Sequence, residues 1–171
     1  SGSELGNEIP LAKSALLFVD ELPISPDQVQ IGVMTFANDP VVITNLSSDK
    51  FKIKSSIVSM SSIYAHGGTF LSGAMDMAIE ELKSNDIGTR NIIILVSDGE
   101  IDNVNLVVNS VNTAQKTLAL DIFAVQITSS SDESAMFGYT NLVRITGYKE
   151  NIVQSGSRDI VEALKRLNLC N

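Results

Sequence analysis

Three short stretches carry the residues whose types could do chemistry. Residues 91–100 read NIIILVSDGE, an apolar run that stops at Ser97, Asp98 and Gly99. Such a run wants burial on both faces, as strands of parallel sheets do. It leaves the Asp98 carboxylate at the carboxyl edge, where those sheets hold ligands. Residues 66–70 read HGGTF, which brings Thr69 to a helix start directly behind Gly67 and Gly68. Glycines let the backbone turn tightly, and a threonine hydroxyl at that turn faces either its own helix or an ion. Ser1 and Ser3 lie at i and i+2, a few residues ahead of the first helix. Two hydroxyls there, with Thr69 and Asp98, would give a small cation four hard oxygen ligands. The plain alternatives are an ordinary helix cap for Thr69 and a turn former for Asp98.

The elements that must position these groups alternate along the chain. Residues 9–22 place Ile9, Ala12, Leu16, Val19 and Leu22 at helical spacing, and Pro23 stops the helix. Residues 28–36 alternate as a strand, and Asn38, Asp39 and Pro40 turn into a second strand, VVITNL, giving a hairpin. A short helix is expected over residues 48–60 behind a Ser/Asp start. A clearer one over 70–82 carries Leu71, Ala74, Met75, Ala78, Ile79 and Leu82 on one stripe. After the strand that ends at Asp98 come a helix over 104–118, a strand over 120–127, a short helix over 141–146, a short strand over 151–154 and a last helix over 160–167. This order predicts one domain over residues 1–171: an α/β fold, Rossmann-like, with a mostly parallel central sheet, one antiparallel edge strand and helices on both faces. The alternation opens on a helix, where such folds usually begin on a strand, so a strand is expected to be missing.

Composition narrows the function classes. The 171 residues are 44% hydrophobic and 19% charged, a mixture that suits a globular core rather than disorder. Twelve Lys and Arg against 20 Asp and Glu leave a net charge of -8, which argues against nucleic acid or an anionic membrane as partner. No apolar run reaches the roughly 20 residues of a membrane span, and the polar start SGSELGNE has no signal-peptide pattern. Neither G-x-G-x-x-G, G-x-x-x-x-G-K-[ST] nor G-x-S-x-G occurs, so no catalytic or cofactor motif supports an enzyme. His66, the only histidine, has no Cys or paired acid at zinc-ligand spacing and reads as a loop surface residue. The one cysteine, Cys170, is either a free thiol or half of a disulfide reaching outside this span. The sequon at Asn45, Leu46 and Ser47 agrees with an oxidising, extracellular setting but arises often by chance.

Taken in order, GVMTFANDP, HGGTFLSGAM and IIILVSDGE are similar to signatures of the von Willebrand factor type A domain, and the resemblance covers essentially the whole chain. That family's metal-ion-dependent adhesion site joins a D-x-S-x-S segment after the first strand, a Thr in a second loop and an Asp in a third. By resemblance Ser1 and Ser3 are direct hydroxyl ligands, Thr69 is a ligand gained or lost with conformational state, and Asp98 acts mostly through a bound water. The resemblance implies Mg²⁺, with Mn²⁺ as a substitute, and a protein ligand supplying a Glu or Asp to the open coordination place. The sequence departs from the pattern at its start, since the Asp of D-x-S-x-S and the first strand would precede Ser1. In the family that strand lies between the strands at 28–36 and 91–97. It is therefore expected from the parent chain or from another polypeptide.

The same resemblance implies an extracellular or cell-surface setting, with a partner for Cys170 just upstream of the missing strand. Glu100 and Asp102 would add negative field near Asp98. Two other readings stand beside it: an intracellular assembly domain of the same family, and a signalling domain on a similar sheet, such as a phosphoacceptor receiver with Asp98 as acceptor. A receiver would want a Lys at a later strand end, and Ile127, Thr128 and Ser129 offer none.

Overall fold

Apolar periodicity becomes architecture much where the sequence places it. The computed structural model describes residues 8–60, 70–85, 90–127 and 132–155. In chain order these form α1 (Glu8–Glu21), β1 (Ile31–Thr35), β2 (Val41–Ser47), α2 (Lys50–Met60), α3 (Leu71–Ser84), β3 (Asn91–Ser97), α4 (Val104–Ala114), β4 (Leu120–Ile127), α5 (Asp132–Thr146), a 3-10 turn (Lys149–Asn151) and β5 (Ile152–Ser155). Asp49 caps α2 as its Ser/Asp start anticipates, its Oδ1 accepting from the Lys52 amide at 3.0 Å. Gly147, at φ +77°, ends α5 in the left-handed conformation, and its amide returns to the Val143 carbonyl at 3.0 Å.

β3, β4 and β5 pair in that order, all parallel, and β1 pairs antiparallel with β2 in a separate two-stranded sheet. Helices cover both faces, as an α/β sheet requires. On one face Phe18 of α1 packs with Ile92, Ile94, Val96, Phe123 and Val125. On the other, Leu71 and Met75 of α3, Val107 and Val111 of α4, and Leu142 and Ile145 of α5 close over Leu95, Ile122 and Ala124. Full burial of side chains such as Ile122 and Val125 is worth about 1.5–3 kcal/mol each.

Among the described residues the two sheets share this core without pairing with each other. Met34 and Phe36, at the end of β1, pack against the same cluster as Ile93 of β3. α1 serves both sheets, since its Ala12 and Val19 join Ile53 and Ile57 of α2 over Ile31 and Val33. Among the described residues, β1 has a strand partner on its β2 side alone and β3 on its β4 side alone. Ile31, Val33 and Met34 on β1 and Ile92, Ile93, Ile94 and Val96 on β3 are half-buried, with Leu95 the buried apolar exception on β3, whereas Ile122 to Gln126 of β4 are all buried.

Three boundaries differ from the sequence reading. α5 starts at Asp132, nine residues before the expected 141, and α4 ends at Ala114 rather than at 118. Residues 132–140 show no apolar stripe because Met136 and Phe137 face solvent while Gly138 occupies the buried side. The strand expected over 28–36 shortens to Ile31–Thr35, with register irregularities between Ile31 and Val33 and between Val33 and Met34. The helix expected over 160–167 lies outside the described residues.

Candidate metal centre

Of the four ligands expected from the sequence, the structure describes Asp98. Ser1, Ser3 and Thr69 lie outside the described residues, as do His66 and Cys170. Asp98 follows β3 at its carboxyl end, half-buried, where the strand gives way to a tight turn. Its Oδ1 accepts from the Glu100 amide at 3.0 Å and from the Ser97 hydroxyl at 3.5 Å, while Ser97 Oγ itself accepts from the Gly99 amide at 3.1 Å. One carboxylate oxygen is thus held by the turn, and Oδ2 has no hydrogen-bond partner among the described residues. Glu100 and Asp102 are exposed on the same loop, with buried Ile101 between them anchoring it.

The second candidate loop resumes beside the carboxyl end of β1. Phe70, next in sequence to Thr69, donates its amide to the carbonyl of Ala37 at 2.8 Å, immediately before α3 begins. Phe70 is thus tied just beyond the carboxyl end of β1, and Asp98 stands at the carboxyl end of β3, the kind of strand end at which open α/β sheets place ligands. A hard divalent cation fits this chemistry, because an anionic oxygen with one lone-pair side left open can take a metal or a metal-bound water. Among the described residues no group of three or more His, Cys, Asp or Glu is placed to hold a metal.

The Asp98 turn has supports that the sequence reading passed over. Gln126, fully buried in β4 opposite Ser97, donates through Nε2 to the carbonyl of Asp98 at 3.2 Å and to that of Ala135 at 2.7 Å. Its Oε1 accepts from Gln154 of β5 at 2.8 Å. Asn141, buried in α5, donates to the carbonyl of Gly99 at 3.0 Å. Gly99 has φ +87°, and a methyl built on it would lie 2.3 Å from the carbonyl oxygen of Gly138. Two signals were available in the sequence: a glutamine at the end of the apolar run LDIFAVQI, and a lone glycine within residues 132–146.

A family model for the von Willebrand factor type A domain matches residues 3–156. No curated protein matches the chain by sequence. Among solved structures it is similar to the manganese-loaded TRAP protein of Plasmodium vivax, with a TM-score of 0.73 and 15% identity over 92% of this chain and 64% of that one. It is similar also to proximal thread matrix protein 1 of the mussel byssus with a zinc-occupied MIDAS motif, at a TM-score of 0.74 and 17% identity over 94% of this chain and 42% of that one. The pilus adhesin SpaC of Lactobacillus rhamnosus GG gives a TM-score of 0.77 and 15% identity over 96% of this chain and 28% of that one. At such identities the likeness establishes the fold, and the chain spans less than two thirds of each of these proteins.

Proposed function

The chain belongs to the von Willebrand factor type A domain family, and from that premise we propose that it is a metal-ion-dependent protein-binding and adhesion module. The observation that carries the proposal is the Asp98 carboxylate, held through Oδ1 at the carboxyl end of β3, with Oδ2 without a hydrogen-bond partner among the described residues. Ser1, Ser3 and Thr69 are the hydroxyls that would complete the ligand set around Mg²⁺ or Mn²⁺. When bound, the ion would offer a coordination place to a Glu or Asp of a partner protein. The chain's own charge makes that ion necessary: at -8 it repels an acidic partner, and a divalent cation at the turn reverses the local field. The metal-loaded neighbours, with manganese in one and zinc at the MIDAS motif in the other, support a divalent ion at this edge. The adhesin among the neighbours supports a setting outside the cell, and no helix among the described residues is long and apolar enough to cross a membrane.

The proposal includes a strand between β1 and β3, supplied by the parent polypeptide upstream of Ser1 or by another chain. The edges of both strands that have no partner among the described residues, and their half-covered apolar residues, support it. A buried amide or carbonyl left without a partner costs about 1–3 kcal/mol, so several along an open gap would consume an ordinary stability margin of about 5–15 kcal/mol. With that strand in place residues 1–171 form one domain.

The test is binding to arrayed Glu- and Asp-containing peptides in Mg²⁺ or Mn²⁺, compared with the same peptides carrying Gln and Asn. Retention should need both the metal and the acidic residue, should vanish in EDTA, and should fall strongly in Thr69→Ala while the circular dichroism stays native. Binding that survives both EDTA and Thr69→Ala sinks the reading.

A further inference from the structure

We infer that α5 is the element that positions the Asp98 turn, acting through Gly138, Gln126 and Asn141, and that metal affinity at Asp98 depends on its seating. The inference rests on the metal-dependent reading above and names residues which that reading does not use. Gly138 lies against the turn: a methyl built on it would come within 2.2 Å of the Asp98 carbonyl oxygen and 3.1 Å of Gln126 Nε2. The approach is reciprocal, since a methyl on Gly99 would come within 2.3–2.6 Å of the Gly138 backbone. Real Cβ contacts are never this short, so any side chain at either glycine separates the helix from the turn.

Around this contact the two carbonyls of the turn are each taken by one amide side chain. Gln126 spends both its N–H bonds on tying the Asp98 carbonyl of the turn to the Ala135 carbonyl of α5. Asn141, three residues beyond Gly138 on the same helix, holds the Gly99 carbonyl. Gln154 of β5 orients Gln126 in turn. The peptide planes on either side of the Cα of Gly99 are therefore fixed from α5 and β4, and the direction of the Asp98 carboxylate follows from them. Outer partners of this kind commonly change metal affinity by about 10–100-fold when removed. They are positioning residues, because none of them reaches the open carboxylate oxygen.

The experiment is calorimetric titration with Mn²⁺ alone of residues 1–171 together with the strand that the proposed function requires, for the unmodified protein and for Asp98→Ala, Gly138→Ala, Asn141→Leu and the exposed α5 control Met136→Ala. The expected result is an affinity loss of about tenfold in Gly138→Ala and in Asn141→Leu, with none in the control. A double-mutant cycle supplies the readout that a merely structural role would not move: the loss from Asn141→Leu should disappear in the Asp98→Ala background. If Gly138→Ala does not fold, Asn141→Leu carries the test. Natively folded Gly138→Ala or Asn141→Leu proteins that bind Mn²⁺ as the unmodified chain does overturn this inference alone. Absence of Mn²⁺ binding by the unmodified chain overturns the metal reading, and the inference with it.

Discussion

The β1–β2 hairpin and the β3–β4–β5 sheet are made of similar residues, yet they are finished to different degrees. β4 is paired along its length with β3 in unbroken register and over its last four residues with β5, and its interior is closed to solvent. Among the described residues β1 is paired on one side, its register with β2 shifts twice, and its Ile31, Val33 and Met34 stay half-covered. Apolar content alone does not explain the contrast, since IGVMT is as suitable for burial as much of LDIFAVQI. What differs is the number of neighbouring strands. A strand flanked on both sides has its backbone satisfied and its side chains shielded by the residues beside them, whereas an edge strand has neither.

The largest effect that would break this comparison lies in the cores. Ile122→Ala in β4 should cost about 2–5 kcal/mol, measured by denaturant unfolding, because the residue is fully buried among side chains of α3, α4 and α5. Ile31→Ala in β1 should cost clearly less, and equal losses would mean that the two sheets are equally enclosed. Amide hydrogen exchange comes next. Amides of Ile122 to Val125 should exchange at least about a hundredfold more slowly than those on the edge of β3 turned away from β4. Adding the proposed strand should bring the β3 amides up to the protection of β4, and equal protection without it would argue against an open edge.

A smaller effect is expected at Thr44, whose Oγ1 is buried in β2 without a hydrogen-bond partner among the described residues. Thr44→Val removes the unmet hydroxyl and should be neutral or stabilise by up to about 1 kcal/mol. A clear loss would show that the hydroxyl is satisfied from a segment outside the described residues, which would sharpen the case for a strand there. The smallest effect concerns Asp20 of α1, whose carboxyl is held below its usual range by Lys54 and, more weakly, by Lys50 of α2. A depressed carboxyl contributes stability above its unfolded pKa and loses it as pH falls through the lowered folded value. The difference in melting temperature between the unmodified protein and Asp20→Asn should therefore be present at neutral pH, small, and lost once the pH has fallen through the lowered folded value. A difference that grew on acidification would reverse the assignment.

Local pattern was enough wherever one residue's neighbours in sequence decide its state. Strict apolar runs marked β3 and β4, the stripe from Leu71 to Leu82 marked α3, and the polar stop at Ser97 and Asp98 marked the carboxyl edge. The family resemblance added the hydroxyl ligands, which stand on residues outside those described. The sequence also pointed to a gap between β1 and β3, because the order of elements began one strand late; among the described residues those two strands do not pair with each other. What only the tertiary structure decided is how the Asp98 turn is held. Gln126 and Asn141 reach it across 28 and 42 residues of chain, and the first turns of α5 owe their place to a glycine pressed against a carbonyl rather than to an apolar stripe. Contacts of that kind have no period in the sequence, since a buried amide and a missing side chain acquire meaning only from the backbone that approaches them.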